Sequence, residues 1–235
     1  MQATHKEAHS GSAGARLNWL RASVLGANDG IVSLAALVVG VAGATADVHV
    51  ILVTGVAGLL AGALSMAVGE YVSVSSQRDT ELALVEKERM ELRDFAPQEL
   101  EELVNIYERK GLSRSTAEQA ARELTEHDAL AAHLDAELGI DPAALTNPWH
   151  AAFASGASFV AGALIPLIAI TMPPEEVRVP VAFGSVVLAL LITGIFSARV
   201  SEAPVAKVVL RIVSGGVLAM AITFGVGMLF GVAVG

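Results

Sequence analysis

Hydrophobic and polar positions alternate along this chain on the scale of whole segments rather than single residues. Five stretches are long enough to cross a bilayer, where a helix needs about 20 mostly apolar residues and must satisfy its own backbone. The first, 22–46, carries one charged residue, Asp29, and the second, 48–77, carries one, Glu70. The other three, 149–174, 179–198 and 212–235, contain no Asp, Glu, Lys or Arg. A cleaved signal peptide is the alternative for the first stretch, but the run is long and a second span follows after a short loop. Prolines mark the boundaries. Asn147-Pro148-Trp149 reads as a helix start with an interfacial aromatic, and Pro173-Pro174 stops the third span. Pro180 is expected to open the fourth span, Pro204 sits in the loop before the fifth, and Pro166 is expected to kink the third.

Between 77 and 148 the pattern changes to amphipathic helices. Residues 78–93, with charges at nearly every turn and apolar residues at Leu82, Val85 and Leu92, are expected to continue the second span into the cytoplasm. A helix over 97–110 turns Leu100, Leu103, Val104 and Ile106 inward and is capped by Gly111. A third, over 115–138, turns Ala117, Ala120, Ala121, Leu124, Leu130 and Leu134 inward and ends at Gly139. The expected fold is an all-α membrane protein: five transmembrane helices with a three-helix insert between spans 2 and 3. Its segments are 1–21, 22–77, 78–148 and 149–235. So small a module buries little core and is expected to need a partner.

Composition sharpens this picture. Hydrophobic residues make up 54% and charged residues 17% of the 235, against about 25% charged in soluble domains, and mean hydropathy is +0.60. With no cysteine, disulfides, zinc-thiolate sites, iron–sulfur clusters and thiol catalysis are excluded. The net charge of −9 lies within 77–148, which hold 17 acidic and 8 basic residues, and the remainder is balanced. No basic face suggests a nucleic-acid partner. With the N-terminus and insert in the cytoplasm, 14 of the 15 Lys and Arg residues face inward and only Arg178 lies outside, as the positive-inside rule requires.

Carboxylates within membrane spans are costly and mark ion or proton paths. Asp29 and Glu70 are therefore the first candidates. The plainer readings are a capping turn at Asn28-Asp29-Gly30 and an interfacial position for Glu70. Met66, Glu70, Ser73 and Gln77 share one helical face, and a thioether beside a carboxylate suits a transition metal rather than Ca²⁺ or Mg²⁺. Met66 alone is more simply read as packing. Gly58 and Gly62, and Gly227, Gly231 and Gly235, fall at the spacing that lets membrane helices approach closely. In the insert, Glu88 and Glu91, Glu99 and Glu102, and His133 and Glu137 each share a helix face. Such carboxylates with an imidazole suit Fe²⁺, Mn²⁺, Co²⁺ or Zn²⁺. Pair by pair a solvated surface is the favoured reading, and Glu101, Glu123, Glu126 and His127 are not separable from them by spacing. An acidic insert at the mouth of a membrane domain concentrates cations.

Two runs resemble signatures of the vacuolar iron transporter family: Asn28-Asp29-Gly30-Ile31-Val32-Ser33, and Gly62 to Asp79 around Ser65-Met66, Gly69-Glu70 and Ser73. The resemblance extends over nearly the whole chain and implies a homodimer that moves Fe²⁺, and often Mn²⁺, out of the cytosol in exchange for protons. It implies an ion path between protomers through Asp29 and Met66, with Glu70 in the same motif but without an assigned role. It implies metal binding by Glu88, Glu91, Glu99 and Glu102, with His133 and Glu137 as the best match for a third-helix pair; plant members tend to have methionine where this chain has His133. Metal and proton then compete for the same carboxylates. Metal is substrate here rather than a catalyst's cofactor, and no P-loop suggests nucleotide use. A membrane-anchored di-iron oxidase would need Glu-x-x-His pairs, and the insert has none. A non-transporting metal sensor is the third class. The expected location is a bacterial cell membrane, or a vacuolar-type membrane in a eukaryote.

Overall fold

The structure, a computed structural model, describes residues 12–141 and 145–234, with side chains from Trp19 to Gly231. Lys6 with the rest of 1–11, the Arg16 side chain, 142–144 and Gly235 lie outside the described residues, and with them much of the expected N-terminal segment 1–21. The order is α1 (Ser12–Ala44), α2 (Val48–Asp94), α3 (Ala96–Arg109), α4 (Arg114–His133), a π-helical turn (Leu134–Leu138), α5 (Pro148–Thr171), α6 (Glu175–Val200) and α7 (Val205–Val234). No strand occurs among the described residues. Five of these helices are long and apolar enough to cross a membrane.

Several boundaries differ from expectation. Asn28-Asp29-Gly30 lies in the interior of α1, so the capping-turn reading is wrong. Pro180 does not open the fourth span. That helix begins at Glu175 behind Pro174, with Glu175 and Glu176 in its first turn, where carboxylates offset the exposed N–H groups. The fifth begins at Val205 instead of 212, because the Pro204 carbonyl accepts the amides of Lys207 and Val208 at 3.1 and 3.2 Å and starts the helix there.

The chain divides into two compact units. One takes in Ser73–Asn147. Its core is small: Leu103, Val104, Ala117 and Ala121, with Leu100, Tyr107, Ala132 and Ala136 against them. Polar contacts supplement it. Arg114 donates to Glu101 at 2.6 Å, Glu118 at 2.7 Å and Glu108 at 3.2 Å, tying α3 to α4. Ser113 caps α4 by accepting from the Thr116 amide. The helix expected over 115–138 is not continuous. At Asp128 the backbone leaves helical geometry (φ −161°, ψ 96°), and Asp128 Oδ1 accepts from the Ala131 amide at 3.0 Å. Asp128 thus caps a second helical piece, which widens into the π turn and ends at Gly139 with φ 62°. Leu124, expected inward, is exposed at 38%, and Leu82 on α2 is exposed at 45%.

The other unit takes in Leu17–Val72 and Pro148–Gly235. Within their apolar windows α5 is 44% and α1 39% buried, whereas α2 is only 11% buried. Ile31, Leu34, Val38, Val39, Ile51, Phe159, Leu167, Ile170, Val186, Leu190 and Met220 form its core. Lipid is as apolar as these side chains, so close packing rather than water exclusion must hold the helices together. Small residues supply it: Gly30 faces the Phe159 carbonyl, Gly62 faces the Phe159 ring, and Gly227 faces the Gly40 carbonyl. Arg178 is buried on α6 and donates from Nη1 to the Ala46 carbonyl at 2.8 Å, fastening the end of the α1–α2 loop.

A Cβ on Gly62 would lie far inside van der Waals contact of Cζ of the Phe159 ring, whereas one on Gly69 meets nothing within 4 Å. Gly62→Val is therefore expected to cost about 1–3 kcal/mol through overpacking, read as a lower melting temperature in detergent. Gly69→Val is the neutral control. Equal melting temperatures for the two variants would contradict this packing account.

Candidate functional site

Three side chains from three helices meet inside the unit built from Ser73–Asn147. Glu88 on α2 is 3% exposed, Glu99 in the first turn of α3 is 8%, and His133 at the end of α4 is 0%. One ligand atom from each lies within 4.8 Å of the others. His133 Nδ1 is 3.0 Å from Glu88 Oε1, 3.8 Å from Glu99 Oε2 and 3.9 Å from Glu137 Oε2. The 3.0 Å approach lacks hydrogen-bond angles, so Glu88 Oε1 and both imidazole nitrogens are buried without a hydrogen-bond partner. Buried polar atoms are normally satisfied, and leaving one bare costs about 1–3 kcal/mol. Two carboxylates and an imidazole converging in this way are the donor set of a borderline divalent cation such as Fe²⁺, Mn²⁺, Co²⁺ or Zn²⁺.

The break at Asp128 is what turns the end of α4 toward this point, and the π turn sets Glu137 beside His133. Burial, then the negative charges of Glu137, Glu99, Glu91 and Glu102, push Glu88 up to about 7. Burial and the neighbouring Glu102, Glu91 and Glu137 raise Glu99 as well, against the pull of Lys87. Burial lowers His133, opposed by Glu137 and Glu102. The imidazole is thereby kept in the neutral form that can bind metal.

Within each expected glutamate pair the structure separates the members. Glu88 and Glu99 are buried; Glu91 is half-buried and ion-paired to Lys87 at 3.0 Å, and Glu102 is exposed. Glu101 is committed to Arg114, and Glu123 accepts from Gln119 at 2.9 Å. Glu126 and His127 are exposed on α4 before the break. None of these four joins the cluster.

In the other unit, Asp29 and Met66 line one cavity of about 230 Å³ together with Ser33, Leu34, Leu37, Gly58, Gly62, Ser65 and Phe159. Glu70 lies one turn beyond Met66 on α2, half-buried and outside this lining. Ser33, Leu37 and Ser65 are exposed, so the cavity opens at the surface of the chain. Ser33 and Ser65 were missed from the sequence. Their signal is position: Ser33 is four residues after Asp29 on one helix face, and Ser65 adjoins Met66.

Comparison with known proteins points the same way. The profile of the VIT family matches residues 20–228. The chain is similar to a vacuolar iron transporter of Acanthamoeba castellanii, 43% identical over 212 residues covering 90% of this chain and 78% of that one. It is similar to vacuolar iron transporter homolog 4 of Arabidopsis thaliana, 38% identical over 92% of this chain and 86% of that one. It is also similar to vacuolar iron transporter homolog 5 of Oryza sativa subsp. japonica, 39% identical over 92% and 82%.

Two outcomes test the cluster. Metal must displace the proton that Glu88 holds up to about pH 7, so lower pH weakens binding. Between pH 7.5 and 6, Mn²⁺ affinity of the detergent-solubilised protein is expected to fall on the order of tenfold, and Glu88→Gln flattens that dependence while lowering affinity throughout. A pH-independent wild type in calorimetric titration would refute the role of Glu88. Asp128→Ala removes a cap worth about 1 kcal/mol and is expected to weaken Mn²⁺ binding as well, because His133 is then no longer held beside Glu88.

Proposed function

Because this chain belongs to the VIT family, we propose that it is a membrane transporter that moves Fe²⁺, and also Mn²⁺, out of the cytosol in exchange for protons. The observation that carries this reading is the cavity in which Asp29 and Met66, from different spans, face the same space. A carboxylate in an apolar wall marks an ion path, and a thioether beside it favours a transition metal over Mg²⁺ or Ca²⁺. In this proposal Glu88, Glu99 and His133 capture the ion, and Glu91, Glu102 and Glu137 supply the negative field that attracts it. Glu70, between Glu88 and Met66 on α2, is the first carboxylate of the span that the ion or a proton meets, and Asp29 and Met66 then replace part of the ion's hydration. Each carboxylate holds either metal or proton, which couples the two flows without nucleotide hydrolysis.

The same reading has two copies of the chain enclosing the path. Its support is that the Asp29–Met66 cavity opens at the surface and that α2 presents an uncovered apolar face of Val53, Val56, Leu60, Leu64, Val68 and Val72. The positive-inside distribution of Lys and Arg supports a cytoplasmic N-terminus and insert in this proposal, and the membrane proposed is a bacterial cell membrane or a vacuolar-type membrane. The di-iron oxidase reading is not favoured: the insert has no Glu-x-x-His pair, and among the described residues one imidazole joins the cluster.

Reconstitution into proteoliposomes with Fe²⁺ uptake and an internal pH reporter tests the reading. Asp29→Ala, folded as wild type, is expected to lose uptake together with the coupled pH change; full retention would eliminate the path. Glu99→Ala is expected to raise the Fe²⁺ concentration for half-maximal uptake on the order of tenfold, with a maximal rate near wild type. A complete block in that variant would refute the division between capture and passage.

A further inference from the structure

The Asp29–Met66 cavity has only two other polar side chains in its wall, Ser33 and Ser65; the remaining lining is Leu34, Leu37, Phe159, Gly58 and Gly62. Asp29 and Met66 of one copy offer at most two oxygens and one sulfur. A divalent first-row cation takes about four to six donors, so within one copy the wall leaves room for further oxygen ligands beside them. Ser33 has a specific orientation. Its hydroxyl donates to the Asp29 main-chain carbonyl one turn back, at 2.5 Å. With the proton committed inside the helix, the oxygen can turn only lone pairs outward, which makes Ser33 an acceptor suited to a cation. Hydroxyls that bond back to their own helix are common, and Ser23 and Thr80 do the same. Ser33 differs in doing so in the wall of a cavity that also contains a carboxylate and a thioether.

We propose that the Ser33 and Ser65 hydroxyl oxygens are cation ligands of this cavity and set its metal preference, by adding hard oxygen to the soft sulfur of Met66. The inference rests on the reading of the cavity as a metal path. It assigns to two neutral side chains the task of holding the ion without adding charge. Two more carboxylates would bind a divalent ion too tightly for passage, whereas two hydroxyls replace waters of hydration at nearly constant charge.

The test uses the full chain in proteoliposomes, and its lack of native cysteine gives a clean probe. Ser33→Ala and Ser65→Ala are expected to raise KM for Mn²⁺ on the order of tenfold with a smaller change in maximal rate, and Ser33→Thr to restore it. Ser33→Cys replaces oxygen by sulfur and is expected to shift the Cd²⁺-to-Mn²⁺ preference toward Cd²⁺ on the order of tenfold. Its single thiol is expected to be protected from maleimide by Cd²⁺, a readout independent of transport. Wild-type KM in both alanine variants, with an unchanged metal preference and unprotected labelling in Ser33→Cys, overturns the proposal. If Asp29→Ala is inactive in the same vesicles, only the serine assignment has failed. If Asp29→Ala transports normally, the path reading itself has failed and the serines fall with it.

Discussion

The membrane unit depends on how closely α1 can approach its neighbours. No hydrophobic force acts between apolar helices in lipid, so stability comes from backbone contact and complementary shape. Gly30 meets the Phe159 carbonyl on α5, Gly62 on α2 receives the Phe159 ring, and Gly227 on α7 meets the Gly40 carbonyl. Phe159 therefore fills the space left by glycines on two helices, and it also lines the cavity containing Asp29 and Met66. The same contact that locks three helices forms one wall of the proposed path. A cavity with walls fixed in this way presents its ligands without first reorganising the protein, which is what selective coordination requires.

The unit of Ser73–Asn147 solves a different problem. Its apolar core is a handful of residues, yet it buries two carboxylates and an imidazole, groups whose desolvation opposes folding. Part of that cost is avoided by charge: Glu88 rises to about 7 and His133 falls, both through burial first, so each spends more of its time neutral than in water. Polar devices do the rest of the positioning. Arg114 bridges three glutamates, and Asp128 ends one helical piece and caps the next. These contacts are exposed and individually weak, so the cluster is held by many small constraints. A cation supplying bonds to Glu88, Glu99 and His133 would then add to the unit's own stability, since it binds only the folded arrangement.

The sequence revealed much of this because two signals are strong. Runs of some 20 apolar residues allow only helices in a bilayer, and the charge-dense interval 77–148 allows no span. Asp29 stood out for the same reason, as a carboxylate in an apolar run. The pairs Glu88/Glu91 and Glu99/Glu102 were visible as pairs, but not which member turns inward. That depends on neighbours, and the outcome runs against hydrophobicity: Glu88 is buried while Leu82 and Leu124 are exposed. The break at Asp128 was hidden because apolar spacing continues on both sides of it, and an aspartate inside a helix announces itself as a cap only when the following amide is seen to point at it. Ser33 and Ser65 were overlooked because serine is ordinary in membrane helices.

On the transport reading, the two sites differ in a way that favours movement. The first gathers Glu88, Glu99 and His133 with Glu137 near the imidazole; the second has one carboxylate per copy of the chain, Asp29, with a thioether and hydroxyls. Thioethers and hydroxyls bind a borderline divalent cation less well than an imidazole with a further carboxylate beside it, so the membrane site is the weaker of the two at equal pH. An ion that must leave as well as enter needs such a site: strong enough to replace water, too weak to trap. Proton competition offsets the stronger site. Its key carboxylate titrates near neutrality, so a modest local acidification loosens it by the amount that one displaced proton allows. A membrane site with one carboxylate from each copy needs only one proton per copy to empty it, and the exchange of one kind of cation for another then requires no larger motion than the loss of a few ligand bonds.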